Sequence, residues 1–169
     1  VWFEDSTTQK NSAHCATSSD CPVAGLAGQV DGAIQFTGSQ MLDVYSDPSI
    51  DSIGSGSFTI QAWIKPENAP GEILAKFGAD SHYMLWLNDE GHLDFDLTDR
   101  QGVYTTVQSL TSLFGSDWTH VAAVVDADLQ TSPLYVNGDR ASGLDFTGDV
   151  SNDGMLELGI NYQGLLDNV

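Results

Sequence analysis

The chain has 169 residues, a length that fits one domain and buries a substantial core without metal or many disulfides. Five Lys plus Arg stand against 24 Asp plus Glu, and the resulting net charge of −19 repels phosphate backbones and anionic lipid surfaces. Nucleic acid is therefore not an expected partner, and with no apolar run approaching 18 residues, neither is direct membrane insertion. The acids are mostly Asp, 19 against five Glu, and they are scattered through turn segments. Short carboxylates beside loop carbonyls suit calcium, while a solvated acidic coat is the plainer reading of the same pattern.

Val1 to Gly28 reads as loop, with small polar residues, Pro22, Gly25 and Gly28. Val1 opens no charged-then-apolar leader, so a mature or excised piece is expected. The only cysteines, Cys15 and Cys21, lie in this stretch. A disulfide closing so short a loop contributes ~2 kcal/mol, and it implies an extracellular or periplasmic setting. The alternative, a metal site with His14, lacks a second ligand pair and the usual zinc spacings.

A short strand is expected at Ala33–Thr37, ending at Gly38, with another at Met41–Val44. Asp47-Pro48 and Gly54-Ser55-Gly56 then form the turn into FTIQAWIKP at 58–66. There Phe58, Ile60, Ala62 and Ile64 alternate with Thr59, Gln61, Trp63 and Lys65, the period-two pattern of a half-buried strand that Pro66 ends. Ile73–Phe77 and Tyr83–Leu87 make a further pair, and Asn88-Asp89-Glu90-Gly91 turns the chain into His92–Leu97. Val103–Val107 follows, then a short helical turn at Thr111–Phe114 ahead of Trp118. His120–Val125 is a continuous apolar run that reads as a strand covered on both faces. Leu134–Val136 runs into Asn137-Gly138, a hairpin turn dipeptide because both residues tolerate positive φ. Strands at roughly ten-residue spacing with almost no helix signal give an all-β class, a two-sheet antiparallel β-sandwich.

Taken in order, AIQFTG (33–38), SFTIQAWIKP (57–66), ILAKFG (73–78), GHLDFDL (91–97), DWTHVAAVVD (117–126), LYVNG (134–138), LELG (156–159) and GLLDNV (164–169) resemble the laminin G-like branch of the concanavalin A-like lectin and glucanase jelly rolls. The resemblance covers most of the chain, so residues 1–169 are expected to form a single domain. It implies two antiparallel sheets, one concave, in a noncatalytic recognition or adhesion module of a larger secreted or cell-surface protein. The implied partners are a glycan or a cell-surface or matrix protein. Against the family pattern an extra strand before Phe3-Glu4-Asp5 and a last strand after Leu166–Val169 are missing. The expectation is a fragment, or a sheet edge completed by a strand-donating neighbour chain.

The same resemblance implies a structural calcium on the convex side, with Asp5 or a nearby carbonyl, Gly38 and Asp167 as ligands. A second candidate is the loop Asp149, Ser151, Asp153, with oxygen side chains at alternate positions before Gly154, against an ordinary hairpin turn. For sugar binding, which needs aromatic platforms and planar polar groups, the candidates are Trp63, Tyr83, Trp86 and Tyr104 with His82, Asp94, Asp96 and Arg100. Most sandwich aromatics are nevertheless core, as expected for Trp118, and His120 reads as an ordinary strand histidine. Asp94, Asp96 and Asp99 weakly resemble the alternating acids of retaining glucanases, whose nucleophile and acid sit ~5.5 Å apart. An amphipathic strand gives the same spacing, and Asp is shorter than the Glu those enzymes use. No other catalytic motif is present.

Overall fold

Among the described residues fifteen strands are divided between two sheets, and the alternation of side chains along them decides which face each sheet buries. The computed structural model describes residues 1–30 and 32–169. In chain order the strands are β1 (Trp2–Phe3), β2 (Ala13–His14), β3 (Val23–Ala27), β4 (Gly32–Thr37) and β5 (Leu42–Val44). A helical turn, α1 (Pro48–Asp51), follows, and then β6 (Phe58–Pro66), β7 (Gly71–Phe77), β8 (His82–Leu87), β9 (His92–Thr98) and β10 (Tyr104–Ser112). The chain closes with β11 (Thr119–Val125), β12 (Thr131–Val136), β13 (Asp139–Asp145), β14 (Leu156–Leu158) and β15 (Gln163–Asp167).

One sheet has eight strands in the order β1-β2-β5-β14-β7-β8-β9-β10, the other seven in the order β13-β12-β11-β6-β15-β4-β3. Their inner faces meet in one core. Tyr83, Leu85 and Leu87 of β8 and Leu93, Phe95 and Leu97 of β9 face Ile60, Ala62 and Ile64 of β6 and Val121, Ala123 and Val125 of β11. The all-β sandwich is as expected, and so is the turn at Asn137-Gly138, where φ values of 52° and 84° join β12 to β13.

Several local expectations differ from the structure. The first 28 residues are not all loop, because β1, β2 and β3 edge the two sheets there, and the Cys15–Cys21 disulfide is formed beside β2. The helical turn lies at Pro48–Asp51 rather than Thr111–Phe114: Asp47 accepts from Ser49 N as N-cap and Pro48 presets the first turn, whereas β10 runs on to Ser112. In β11 only one face is buried. Its other face is half-exposed and shielded only by cross-strand neighbours such as Trp63, opposite His120. Trp118 is likewise half-exposed ahead of that strand. The segment Asp149–Gly154 is no hairpin turn, since it carries the chain from β13 in one sheet to β14 in the other. The last strand, β15, is flanked on both sides, by β6 and β4, while β1 lies at the edge of the opposite sheet.

A buried ion pair ties the crossover to the core. A bulge in β7 between Glu72 and Leu74 turns Lys76 inward, where it is fully buried. Its ammonium lies 2.9 Å from Asp51 Oδ1 of α1 and donates to the Gly154 carbonyl. Hydrogen bonds from Ser46 and Lys76 outweigh partial desolvation and hold the Asp51 carboxyl below its ordinary value.

Candidate functional site on the outer face of the eight-stranded sheet

Strands β7 to β10 pair in register and stack their outward residues in rows. One row runs Glu72, Trp86, Asp94, Gln108, and the next runs Ala75, Met84, Asp96, Thr106. Across β14 and β5 the second row continues through Glu157 and Asp43 to His14. Because Leu93, Phe95 and Leu97 fill the core, the alternation of β9 sends His92, Asp94, Asp96 and Thr98 to this outer face.

Trp86 occupies the centre. Its indole Nε1 donates to Asp96 Oδ2 at 3.0 Å, and cross-strand neighbours place Glu72 on one side of it and Asp94 on the other. Asn88 Nδ2 donates to Asp94 Oδ2 at 3.0 Å. Asp94 and Asp96 are only 5% and 4% exposed although they point outward. Among the described residues the second oxygen of each, Oδ1, makes no well-formed hydrogen bond, although the Gln108 amide lies beside Asp94 and the Tyr104 hydroxyl beside Asp96; Asp43 Oδ1, Glu72 Oε2 and His92 Nδ1 on the same face also lack partners. Buried acceptors without donors cost free energy, so these oxygens are where a donor, from water or from a ligand, would be taken up.

The electrostatics agree. Burial lifts the Asp94 carboxyl above its ordinary value; the nearby Gln108 and Asn88 amides pull it back, and Asp96 repels it. Burial and then the Glu157 charge raise Glu72, and burial and then the Asp43 charge raise Glu157. Burial, with Asp96 adding to it, also raises the Tyr104 phenol. The face is thus a ladder of mutually repelling carboxylates.

Of the residues expected to bind sugar, His82, Trp86, Asp94, Asp96 and Tyr104 come together here, with His82 and Tyr104 in a third row opposite Thr98. Tyr83 does not belong to the site. It points into the core at 2% exposure and packs against Phe58, and burial raises its phenol far above the ordinary value. Trp63 sits on the outer face of the other sheet, its ring 5.2 Å from that of His120. Arg100 lies past the end of β9 beside a 420 Å³ cavity whose lining includes Asp51, Asp80 and Ser151, away from Trp86. Asp99 leaves the row of acids altogether, because its Oδ1 caps its own turn by accepting from Gln101 N and Val103 N.

Glu72, Glu157 and Asp43 were not expected in the site. Glu72 escapes a period-two reading because the β7 bulge puts it on the same face as Ala75 and Phe77. Asp43 and Glu157 become neighbours only when β14 inserts beside β5. At the far edge of this sheet Trp2, His14 and Tyr45 form an aromatic group, with the His14 and Tyr45 rings 4.3 Å apart.

The residues expected to hold calcium divide. Asp5 and Asp167 line one cavity of about 460 Å³ together with Phe3, Ile34, Leu42 and Leu156. Asp5 already accepts from Thr7 N, Thr7 Oγ1 and Asn11 N, and Asp167 Oδ2 accepts from Val30 N at 2.7 Å. Gly38 cannot join them: it follows Thr37, which pairs with Gln163, and Gln163 lies four positions before Asp167 along the strand, roughly 13 Å. In the second candidate loop, Asp149 Oδ1 accepts from Ser151 N and Asn152 Oδ1 from Gly154 N, so these side chains shape the turn. Asp153 is exposed, and the Lys76 ammonium already reaches the Gly154 carbonyl, which disfavours Asp149, Ser151 and Asp153 as ligands for a second cation. Among the described residues no three His, Cys, Asp or Glu side chains converge at metal-binding distance.

The laminin G family model of the concanavalin A-like lectin/glucanases superfamily matches residues 36–169. The chain belongs to this family. Its fold is shared with domain 4 of the extracellular arabinanase AbnA of Geobacillus stearothermophilus, solved with arabinotriose, at a TM-score of 0.79 and 17% identity over 98% of this chain and 84% of that one. The binding domain of Paraclostridial mosquitocidal protein 1 aligns at a TM-score of 0.78 and 18% identity over 97% of this chain, which spans 44% of that structure's length. The sialidase module CBM40 of Ruminococcus gnavus, bound to α2,3-sialyllactose, aligns at a TM-score of 0.65 and 18% identity over 79% of this chain and 85% of that one. At these identities the likeness establishes the laminin G-like fold. No curated protein matches the chain in sequence. Among the described residues, no helix of this laminin G-like domain is long and apolar enough to cross a membrane.

Proposed function

We propose that this laminin G-like domain is a noncatalytic carbohydrate-binding module of an extracellular protein, and that it takes its glycan on the outer face of the eight-stranded sheet. The observation that carries this reading is the half-buried Trp86, flanked across the sheet by Glu72 and Asp94 and bonded to Asp96, with a free acceptor oxygen on each of the three acids. An indole gives an apolar platform for a sugar ring, and acceptor-only carboxylates take the hydroxyl protons around it. Tyr104 and His82 extend the same surface. The solved relatives that hold arabinotriose and sialyllactose support a sugar as the ligand class.

Binding rather than hydrolysis is supported by the engagement of the acids: Asp94 and Asp96 are each held by a neighbour, Asn88 or Trp86, and Asp99 is engaged in its turn. The formed Cys15–Cys21 disulfide supports an oxidising, extracellular setting. A structural calcium, if bound, would draw on Asp167 with Asp5 and loop carbonyls, and would tie the chain's first segment to β15 as a hard cation held by oxygen ligands.

The test is glycan binding by the purified domain across a panel of neutral, amino and acidic oligosaccharides, with reducing-sugar release followed in parallel. Binding by wild type that Trp86→Ala abolishes, without sugar release, bears the proposal out. Release that Asp96→Asn abolishes would replace it with a hydrolase, and binding that survives Trp86→Ala would move the site elsewhere.

A further inference from the structure

The ligand's charge can be read from what the face lacks. Five carboxylates, those of Asp43, Glu157, Glu72, Asp94 and Asp96, project from β5, β14, β7 and β9 onto one surface. None of the chain's five Lys and Arg side chains reaches it, and the basic groups it does hold are the imidazoles of His14, His82 and His92. Lys76 is turned into the core, Lys65 pairs with Asp117 on the opposite sheet, Arg140 is on β13, Arg100 lies beyond the end of β9, and Lys10 reaches the Asp5 carbonyl in the first loop. Asp94 and Asp96 are more than nine-tenths buried, and among the described residues each keeps one oxygen without a well-formed hydrogen bond.

A neutral sugar satisfies such oxygens with hydroxyl donors but leaves the charges repelling one another. An ammonium group supplies three donors and the missing positive charge at once, and charge-assisted hydrogen bonds are roughly twice as strong as neutral ones. A carboxylated sugar adds repulsion. The acids also stand on both sides of the aromatic platform: Glu72 on β7 and Asp94 on β9 are two strand spacings apart, about 10 Å, with Trp86 between them. A ring stacked on Trp86 can therefore present an amino substituent toward an acid on either side.

We infer that this face selects glycans built of amino sugars with free ammonium groups, through Glu72 and Asp94 beside Trp86 and Asp96 beneath it. The inference rests on the carbohydrate-binding reading above and narrows it to one substrate class. Burial and mutual repulsion, which raise Glu72, Glu157 and Asp94, accord with it, because a bound cation relieves both.

The experiment is calorimetric titration, with chelator present, of three oligosaccharides of equal length: a glucosamine oligomer, its N-acetylated counterpart, and a neutral glucose oligomer. The glucosamine oligomer is expected to bind at least tenfold more tightly than the other two, to weaken as salt rises, and to lose at least tenfold in Asp94→Asn and Glu72→Gln. Asp128→Asn, which removes one charge from the exposed turn after β11, is expected to change binding less than twofold. Equal or tighter binding of the acetylated or neutral oligomer overturns the amino-sugar inference and leaves a carbohydrate module standing. An equal loss in Asp128→Asn also overturns it, because attraction to the whole acidic chain then explains the binding. Failure of all three oligomers and of the wider panel overturns the carbohydrate reading itself.

Discussion

Trp63 and Trp86 occupy equivalent outward positions on inner strands of opposite sheets, and their surroundings differ in kind. Trp63 leans edge-on against His120, and along its strand Lys65 meets Asp117 at 2.8 Å in an exposed ion pair. On that face the charged neighbours satisfy one another, as Lys65 and Asp117 do. Trp86 lies among carboxylates whose free oxygens are buried and make no well-formed hydrogen bond among the described residues. The difference teaches that an outward aromatic becomes a binding candidate through unmet hydrogen-bond capacity around it, because only that gives a ligand something the folded chain does not already supply.

The sharpest way to break this contrast is to truncate each tryptophan. Trp86→Ala is expected to weaken glycan binding at least tenfold while Trp63→Ala changes it less than twofold, both measured by titration calorimetry; equal effects would erase the distinction. Next in size, Lys76→Met is expected to cost about 1 to 2 kcal/mol in denaturant unfolding, since it leaves the Gly154 carbonyl and the partly exposed Asp51 carboxyl without the ammonium. Lys65→Met, which breaks the exposed pair, is expected to cost less than about 1 kcal/mol. Replacing Cys15 and Cys21 together by Ala is expected to lower stability by about 2 kcal/mol, the entropy of a short loop, and reduction of wild type should reproduce it.

The smallest effect sharpens the comparison through pH. Glu72, Glu157 and Asp94 have folded-state pKa values raised above their unfolded ones. Folding therefore favours their protonated forms, and their contribution is greatest below the ordinary carboxylate range of about 4 to 4.5 and is lost as pH rises through and above it. Asp51, with a lowered pKa, has the opposite sign. Melting temperature against pH should therefore fall less steeply above that range in Glu72→Gln/Glu157→Gln than in wild type. An unchanged slope would mean that the acid ladder does not repel itself as described. Calcium offers a parallel check at the other end of the domain: a rise in melting temperature lost in Asp167→Ala is the expected result if Asp167 serves as a ligand.

Particular strands show how far the sequence could be read. In β6 and β9 the alternation is regular, so Ile60, Ala62, Ile64 and Leu93, Phe95, Leu97 were legible as core, and with them Asp94 and Asp96 as an outward pair. In β8 the same rule places Tyr83 inward with Leu85 and Leu87, and Trp86 outward, so an aromatic's suitability for stacking on a sugar says nothing of its face unless strand parity is applied with it. The first 28 residues read as loop because β1 and β2 are two-residue strands that exist only by pairing with an edge. Glu72 was hidden by a bulge, and the pairing of Asp43 with Glu157 by their separation of 114 positions along the chain.

By itself, the sequence determined the all-β class, the laminin G-like fold, most strands and the disulfide, because period-two burial, turn chemistry and a short cysteine loop are local properties of the chain. Only the tertiary structure decided which outward residues share a face and which polar atoms there lack partners. Strand order, the β7 bulge and the inward turn of Lys76 are settled by pairing between distant segments, and they keep every Lys and Arg off the surface where the carboxylates gather.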